Sequence, residues 1–125
     1  MRTSIAVAAC VMGFVGVCQA GQIASAPIYA GFTQHVAFCL VYNGGTTTQH
    51  VTPAIFDENG TAQTGVNTSC LDPLLPGEYC AIAKINISNN VAYACAVTAG
   101  NVTNLRGTMI LQNSSDTSLR TTPLR

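Results

Sequence analysis

The feature that most constrains this chain is residues 90–100, which read NVAYACAVTAG. Val91, Tyr93, Cys95 and Val97 alternate with smaller residues at a period of two, which is the spacing of a β-strand, and asparagine and glycine bound the run. Because a cysteine stands among the larger side chains, this strand can be joined covalently to another. We therefore expect a β fold organised around a cross-linked strand.

Residues 1–20 have the pattern of a secretory signal peptide. Arg2 supplies a positive charge, residues 5–17 are apolar, and small residues near the end predict cleavage after Ala20. The apolar run is shorter than the about 20 residues of a membrane-spanning helix, which argues against an anchor. A lipoprotein start is less consistent, because Cys18 follows a valine rather than a glycine or alanine. We expect a secreted or periplasmic protein with no membrane span after cleavage.

Few charges remain after the predicted cleavage. The whole chain has five basic and five acidic residues, and Arg2 lies in the signal, so the net charge of residues 21–125 is about −1. No basic patch for nucleic acid and no polybasic stretch for an anionic membrane is present. The remaining length is that of one domain with a single modest core.

Cysteine usage points to an oxidising compartment. The chain has six cysteines, of which two lie in the predicted signal. An even number of cysteines in a short exported chain predicts two disulfides. Four cysteines allow three pairings, and the residues alone do not choose among them. The four are Cys39, Cys70, Cys80 and Cys95.

Several further stretches alternate at the period of a strand, and turn signals separate them. Residues 35–43 are apolar on both faces, which predicts a central strand, whereas Pro53 makes 50–56 an edge strand or places a bulge there. The remaining predicted strands are 28–32, 61–66, 79–87 and 105–111. We expect an antiparallel β-sandwich of six to seven short strands over residues 35–112. A frayed N-terminal segment (21–34) precedes it, and a loose polar tail (113–125) follows.

The order of several short motifs supports this interpretation. They are CLVYN from Cys39, IFD and NG within 55–60, LPG at 75–77, YAC at 93–95 and LRG at 105–107. The chain resembles small exported bacterial proteins of an uncharacterised β-sandwich type, and the NG and LPG pieces resemble immunoglobulin-like adhesion modules. This resemblance covers residues 35–112 and implies an immunoglobulin-like sandwich with no established activity. It also implies a Cys39–Cys95 pair, which leaves Cys70 and Cys80 to clasp the loop between them.

Catalytic and metal-binding patterns are weak. His35 and His50 could face each other across a hairpin, but two ligands make a poor metal site, and polar strand ends are the simpler interpretation. Asp57 and Asn59 begin like a calcium loop whose later ligands are missing, so they predict a turn. We expect no catalytic residue, no metal and no cofactor, and the chain is not predicted to be an enzyme.

Three residues are candidates for partner binding. Leu74 and Leu75 stand in the loop between Cys70 and Cys80, where they either contact a partner or fold back onto the core. Arg106 lies in a predicted strand and either binds a partner or forms a surface ion pair with an acidic side chain of the turn at 57–58.

The expected function is that of a non-enzymatic exported domain that binds another envelope or extracellular molecule. The edge strand at 50–56 could add to the sheet of such a partner. One alternative is a structural subunit of a surface assembly. Another is a small secreted inhibitor or ligand carrier that presents the Cys70–Cys80 loop.

Overall fold

The computed structural model describes residues 20–113 and 118–125. The predicted signal peptide lies outside these residues except for Ala20. Within the two ranges the chain forms nine β-strands and no helix. The strands are β1 (Gly21–Ala24), β2 (Ile28–Tyr29), β3 (Gln34–Asn43), β4 (Val51–Asp57), β5 (Asn67–Thr68), β6 (Tyr79–Ile85), β7 (Ala92–Ala99), β8 (Leu105–Asn113) and β9 (Ser118–Pro123). No helix in the described ranges is long and apolar enough to span a membrane.

The strands form two antiparallel sheets. One sheet has five strands in the order β5-β6-β3-β8-β9. The other is built around β7, which pairs with β4 along one edge and with β1 and then β2 along the other. The two most strongly patterned stretches of the sequence, β3 and β7, are therefore the central strands, as their apolar alternation predicts.

A single hydrophobic core lies between the buried faces of the two sheets. On β3 the alternate residues Ala37, Cys39 and Val41 are fully buried, and on β7 Cys95 and Val97 are equally buried. The Cys39–Cys95 disulfide joins the two central strands through this core. The period of two along each strand thus selects the side chains that the sheets bury against each other.

Strand β4 is an edge strand, and its main-chain pattern explains how it accepts Pro53. The Ile55 carbonyl accepts a hydrogen bond from the Gln63 N–H, on the side away from β7. Residues two apart in a strand direct their main-chain groups to the same side, so Pro53 also faces away from β7. Its missing N–H therefore costs no hydrogen bond of the ladder.

The N-terminal segment is more ordered than a frayed end. Strands β1 and β2 form one interrupted edge along β7, and Ser25 bridges the interruption. The Ser25 N–H donates to the Cys95 carbonyl at 2.8 Å, and the Ser25 hydroxyl accepts the Cys95 N–H at 2.9 Å. The buried Ser25 hydroxyl thus takes the place of a main-chain carbonyl as the acceptor for the Cys95 N–H.

The C-terminal segment was expected to be a loose polar tail, but Ser118–Pro123 forms β9 along β8. The next residues extend the order to the other sheet: Leu124 is buried and bridges Ser25, and Arg125 exchanges main-chain hydrogen bonds with Ala24. Main-chain pairing explains this outcome, because it needs no apolar side chains. The segment joins one edge of each sheet.

The strand predicted at 61–66 is also absent. Ala62 forms only an isolated bridge with Phe56, and the short strand β5 lies further along, at Asn67–Thr68. The polar sequence of this stretch supplies few side chains for burial, so only its main chain contributes to the sheets.

Candidate functional site

The four cysteines of the described residues are cross-linked in two disulfides. Cys39 is bonded to Cys95, with Cα atoms 5.8 Å apart, and Cys70 is bonded to Cys80, with Cα atoms 5.1 Å apart. This is the pairing that the resemblance implied. A disulfide sulfur is not a thiolate, so these residues supply no nucleophile. Two disulfides are typical of an oxidising, extracellular-type environment.

The acidic side chains near turns bind main-chain N–H groups. Asp57 accepts the N–H groups of Asn59 and Thr61, Glu58 accepts that of Ala92, and Glu78 accepts that of Leu75. Such bonds stabilise turns and strand ends. In the described part of the chain, no three His, Cys, Asp or Glu side chains group as a possible metal site.

The loop from Cys70 to Cys80 separates its two candidate leucines. Leu74 is 4% exposed and belongs to the core, whereas Leu75 is 50% exposed. The Leu74 main chain exchanges two hydrogen bonds with Gln49, and its carbonyl also accepts the side-chain amide of the buried Asn43. Leu74 therefore anchors the loop rather than presenting a contact, and only Leu75 remains available to a partner.

The outer face of the five-stranded sheet is apolar along two adjacent strands, β3 and β6. In β3 the outward positions are Val36, Phe38, Leu40 and Tyr42. Their direct cross-strand neighbours, which share the same face, include Tyr79, Ala81, Ala83 and Ile85 of β6 and Ile110 of β8. An antiparallel sheet with one solvated face normally presents polar side chains there. This outer face thus differs from an ordinary solvated sheet surface.

Arg106 lies on this outer face in one cross-strand row with two tyrosines. The register pairs Tyr79 with Tyr42 and Tyr42 with Arg106. Tyr79 is 72% exposed and Tyr42 is 45% exposed. Together with Leu40 and Thr108, this row lines an open cleft of about 280 Å³.

The Arg106 guanidinium is held by main-chain groups. Its Nη1 donates to the Thr103 carbonyl at 3.0 Å and to the Leu105 carbonyl at 2.8 Å. The ion-pair partners that the sequence suggested lie at the other sheet and bind main-chain N–H groups: Asp57 is the last residue of β4, and Glu58 is in the turn that follows it. Arg106 therefore remains the cationic member of the row.

The outer edge of β4 has few free main-chain groups with which a partner strand could pair. The Ile55 carbonyl and the Asp57 N–H already bond to the segment at 61–63, and Pro53 offers no N–H. A partner strand needs a continuous series of main-chain groups. The edge that sequence analysis favoured for binding is therefore a poorer candidate than the outer face of the five-stranded sheet.

Sequence analysis missed Tyr42 and Tyr79 as candidate site residues. The apolar alternation of β3 indicated burial on both faces, whereas only one face meets the second sheet. A usable signal was present in β8, where Arg106 and Thr108 alternate with the buried Leu105 and Met109. Because neighbouring strands share faces, a polar face on β8 indicates that the matching face of β3 is in contact with solvent.

Comparisons with protein-family models, with curated proteins and with solved structures find no match to this chain.

Proposed function

We propose that this protein is a secreted or periplasmic, non-enzymatic domain that docks another exported protein through the outer face of its five-stranded sheet. The observation that carries the proposal is the apolar surface that β3 and β6 present on that face, with Tyr79, Tyr42 and Arg106 at one end. Contiguous exposed apolar surface rimmed by polar residues is typical of interaction sites. The disulfides and the predicted signal support export.

The two-sheet arrangement supports an immunoglobulin-like β-sandwich as the scaffold. The central strands of both sheets are joined by Cys39–Cys95, and every pairing between strands is antiparallel.

The side-chain chemistry favours a protein as the partner. Tyrosine and arginine are the residue types that most often dominate the energy of protein interfaces, and the centres of such interfaces are poor in charge.

The charge of the face favours a different protein over a second copy of this chain. Among the registered strand positions on this face, Arg106 is the charged residue, and no acidic side chain accompanies it. Two copies packed face to face would bring two cations and no anion into the contact. We therefore infer a partner with an apolar surface and a carboxylate placed to meet Arg106.

Site-specific photo-crosslinking in the producing cell tests the proposal. The photoreactive residue p-benzoylphenylalanine replaces Tyr79 in one variant and Tyr29 in the matched control. Tyr29 has a similar exposed phenol (49% exposed) but belongs to the other sheet. We expect one defined heterologous adduct from position 79 and none from position 29.

The partner identified in the adduct is then purified and titrated with the position-79 variant, with and without the additional substitution Tyr42→Ser. The additional substitution is expected to weaken binding by roughly 30-fold, the effect of one interface hot spot. Intact mass and far-ultraviolet circular dichroism check that both disulfides and the strands remain. Equal adducts from positions 79 and 29 would refute the assigned face. An adduct containing two copies of this chain would refute the heterologous partner.

A further inference from the structure

Five asparagines of the chain stand two positions before a serine or threonine, with no proline between them. This is the acceptor pattern for N-linked glycosylation of exported proteins. The chain has nine asparagines, and 20 of residues 21–125 are serine or threonine. Chance placement would therefore give about two such patterns rather than five. The five asparagines are Asn59, Asn67, Asn86, Asn101 and Asn113.

The turn after β4 presents one of these patterns clear of the rest of the surface. Asn59, Gly60 and Thr61 are all exposed. A Cβ atom added at Gly60 would meet no other atom within 4 Å. A transferase has to surround the acceptor side chain, so this open position favours Asn59 as its target.

The same turn is closed by Asp57 and not by Asn59. The Asp57 Oδ1 accepts the N–H groups of Asn59 at 2.9 Å and of Thr61 at 3.0 Å. The Asp57 N–H also donates to the Thr61 carbonyl at 3.0 Å. Within residues 20–113 and 118–125, the side-chain amide of Asn59 and the hydroxyl of Thr61 form no hydrogen bond. The two side chains that define the acceptor pattern are therefore free, on a main chain that is held in place.

The pattern at Asn67 is committed to the fold. Asn67 pairs with Ala83 in the five-stranded sheet, and the Ser69 hydroxyl accepts the Ala81 N–H at 2.9 Å. Because Ala83 is an outward position of that sheet, a glycan at Asn67 would also cover the proposed docking face. The serine of this pattern has a structural role that explains its presence.

The patterns at Asn86 and Asn101 are also less open than the one at Asn59. Ile87, the residue after Asn86, is buried in the core. Asn101 closes its own turn, since its Oδ1 accepts the Thr103 N–H at 2.9 Å. The pattern at Asn113 extends beyond the described residues. Asn59 is therefore the best acceptor among the four patterns that the structure describes in full.

We propose that Asn59 carries an N-linked oligosaccharide. The donor is an oligosaccharide esterified to a lipid diphosphate. Its transfer forms a bond between the Asn59 Nδ2 and the anomeric carbon of the first sugar, and the bond from that carbon to the diphosphate oxygen breaks. The diphosphate leaves with the electron pair, and Nδ2 gives one proton to a base of the transferase. This modification requires export, which is also part of the proposed function.

A glycan at this position is compatible with docking through the outer face. Asn59 follows β4, which belongs to the other sheet, whereas Tyr42 and Tyr79 lie on the five-stranded sheet. A bulky, hydrated glycan at Asn59 would cover the exposed turn after β4 and leave the tyrosine row accessible.

Intact mass measurement of the protein from the exported fraction of the producing cell tests the assignment. We expect the chain with both disulfides and the added mass of one oligosaccharide. Asn59→Gln removes the acceptor amide and Thr61→Val removes only the hydroxyl, and each is expected to lose the whole added mass. Thr61→Ser, which restores a hydroxyl, is expected to keep it. Asn67→Gln is the matched control and should also keep it.

The proposal is overturned by an exported chain that carries no sugar, by a glycan that remains on Asn59→Gln, or by one that Asn67→Gln removes. Far-ultraviolet circular dichroism checks that each variant is folded, which is expected because the substituted side chains are exposed. Photo-crosslinking from position 79 in the Asn59→Gln background separates the two proposals. An exported, unmodified chain that still forms the adduct refutes the glycan alone, whereas a modified chain with no adduct refutes the docking face alone.

Discussion

Removing the Cys39–Cys95 disulfide is expected to destabilise the protein more than removing Cys70–Cys80. The first bond joins residues separated by 56 positions and the second residues separated by 10. Constraint of the unfolded chain then contributes about 4 and about 3 kcal/mol, respectively. Replacing both cysteines by alanine adds about 1 kcal/mol for each buried sulfur lost, which applies to Cys39, Cys95 and Cys80. The expected costs are therefore about 6 and about 4 kcal/mol.

Urea unfolding of the two double-alanine variants measures this difference. The chain contains no tryptophan, so far-ultraviolet circular dichroism is the suitable signal. With a slope of about 1.3 kcal/mol per molar urea, the midpoints are expected to differ by about 1.5 M. Wild-type protein with both disulfides reduced is the control, since it loses both constraints but keeps every sulfur atom. A Cys70→Ala/Cys80→Ala variant that unfolds at the same or a lower urea concentration would refute the loop-length and burial reasoning.

Four further substitutions test the assignments of individual side chains by the same unfolding measurement. Leu74→Ala is expected to cost about 2–5 kcal/mol because it opens a core cavity, whereas Leu75→Ala should change stability by less than about 0.5 kcal/mol; equal effects would contradict their different burial. Ser25→Ala leaves the buried Cys95 N–H without its hydroxyl acceptor and is expected to cost about 1–3 kcal/mol, so an unchanged midpoint would show that another acceptor is available. Gly107→Ala places a Cβ atom 2.5 Å from a main-chain oxygen of β3, and we expect a loss of about 1–3 kcal/mol; a neutral result would mean that the strands can separate freely at this point.

Much of the fold was predictable from local pattern. The strands now labelled β3, β4, β6, β7 and β8 were all expected from alternation and turn residues, and Pro53 predicted either an edge position or a bulge for β4, of which the structure has the edge. These features depend on the period of side chains along one strand and on the missing N–H of proline, both of which are visible in a short window of sequence.

The candidate site was less predictable. Arg106 was singled out from the sequence, but the two tyrosines that share its cross-strand row, Tyr42 and Tyr79, come from distant parts of the chain. Which strands lie beside each other and in what register is decided by long-range pairing. A single sequence contains no direct record of it.

The sequence by itself determined an all-β chain with two central apolar strands and two disulfides. Alternation is visible within each short stretch, and the number of cysteines is read directly from the chain, so neither depends on packing. Only the tertiary structure decided which face of β3 meets the core, which of Leu74 and Leu75 is buried, and that the polar C-terminal segment becomes β9. The physical reason is that burial depends on what packs opposite a residue, and main-chain pairing can order a segment whose side chains give no signal.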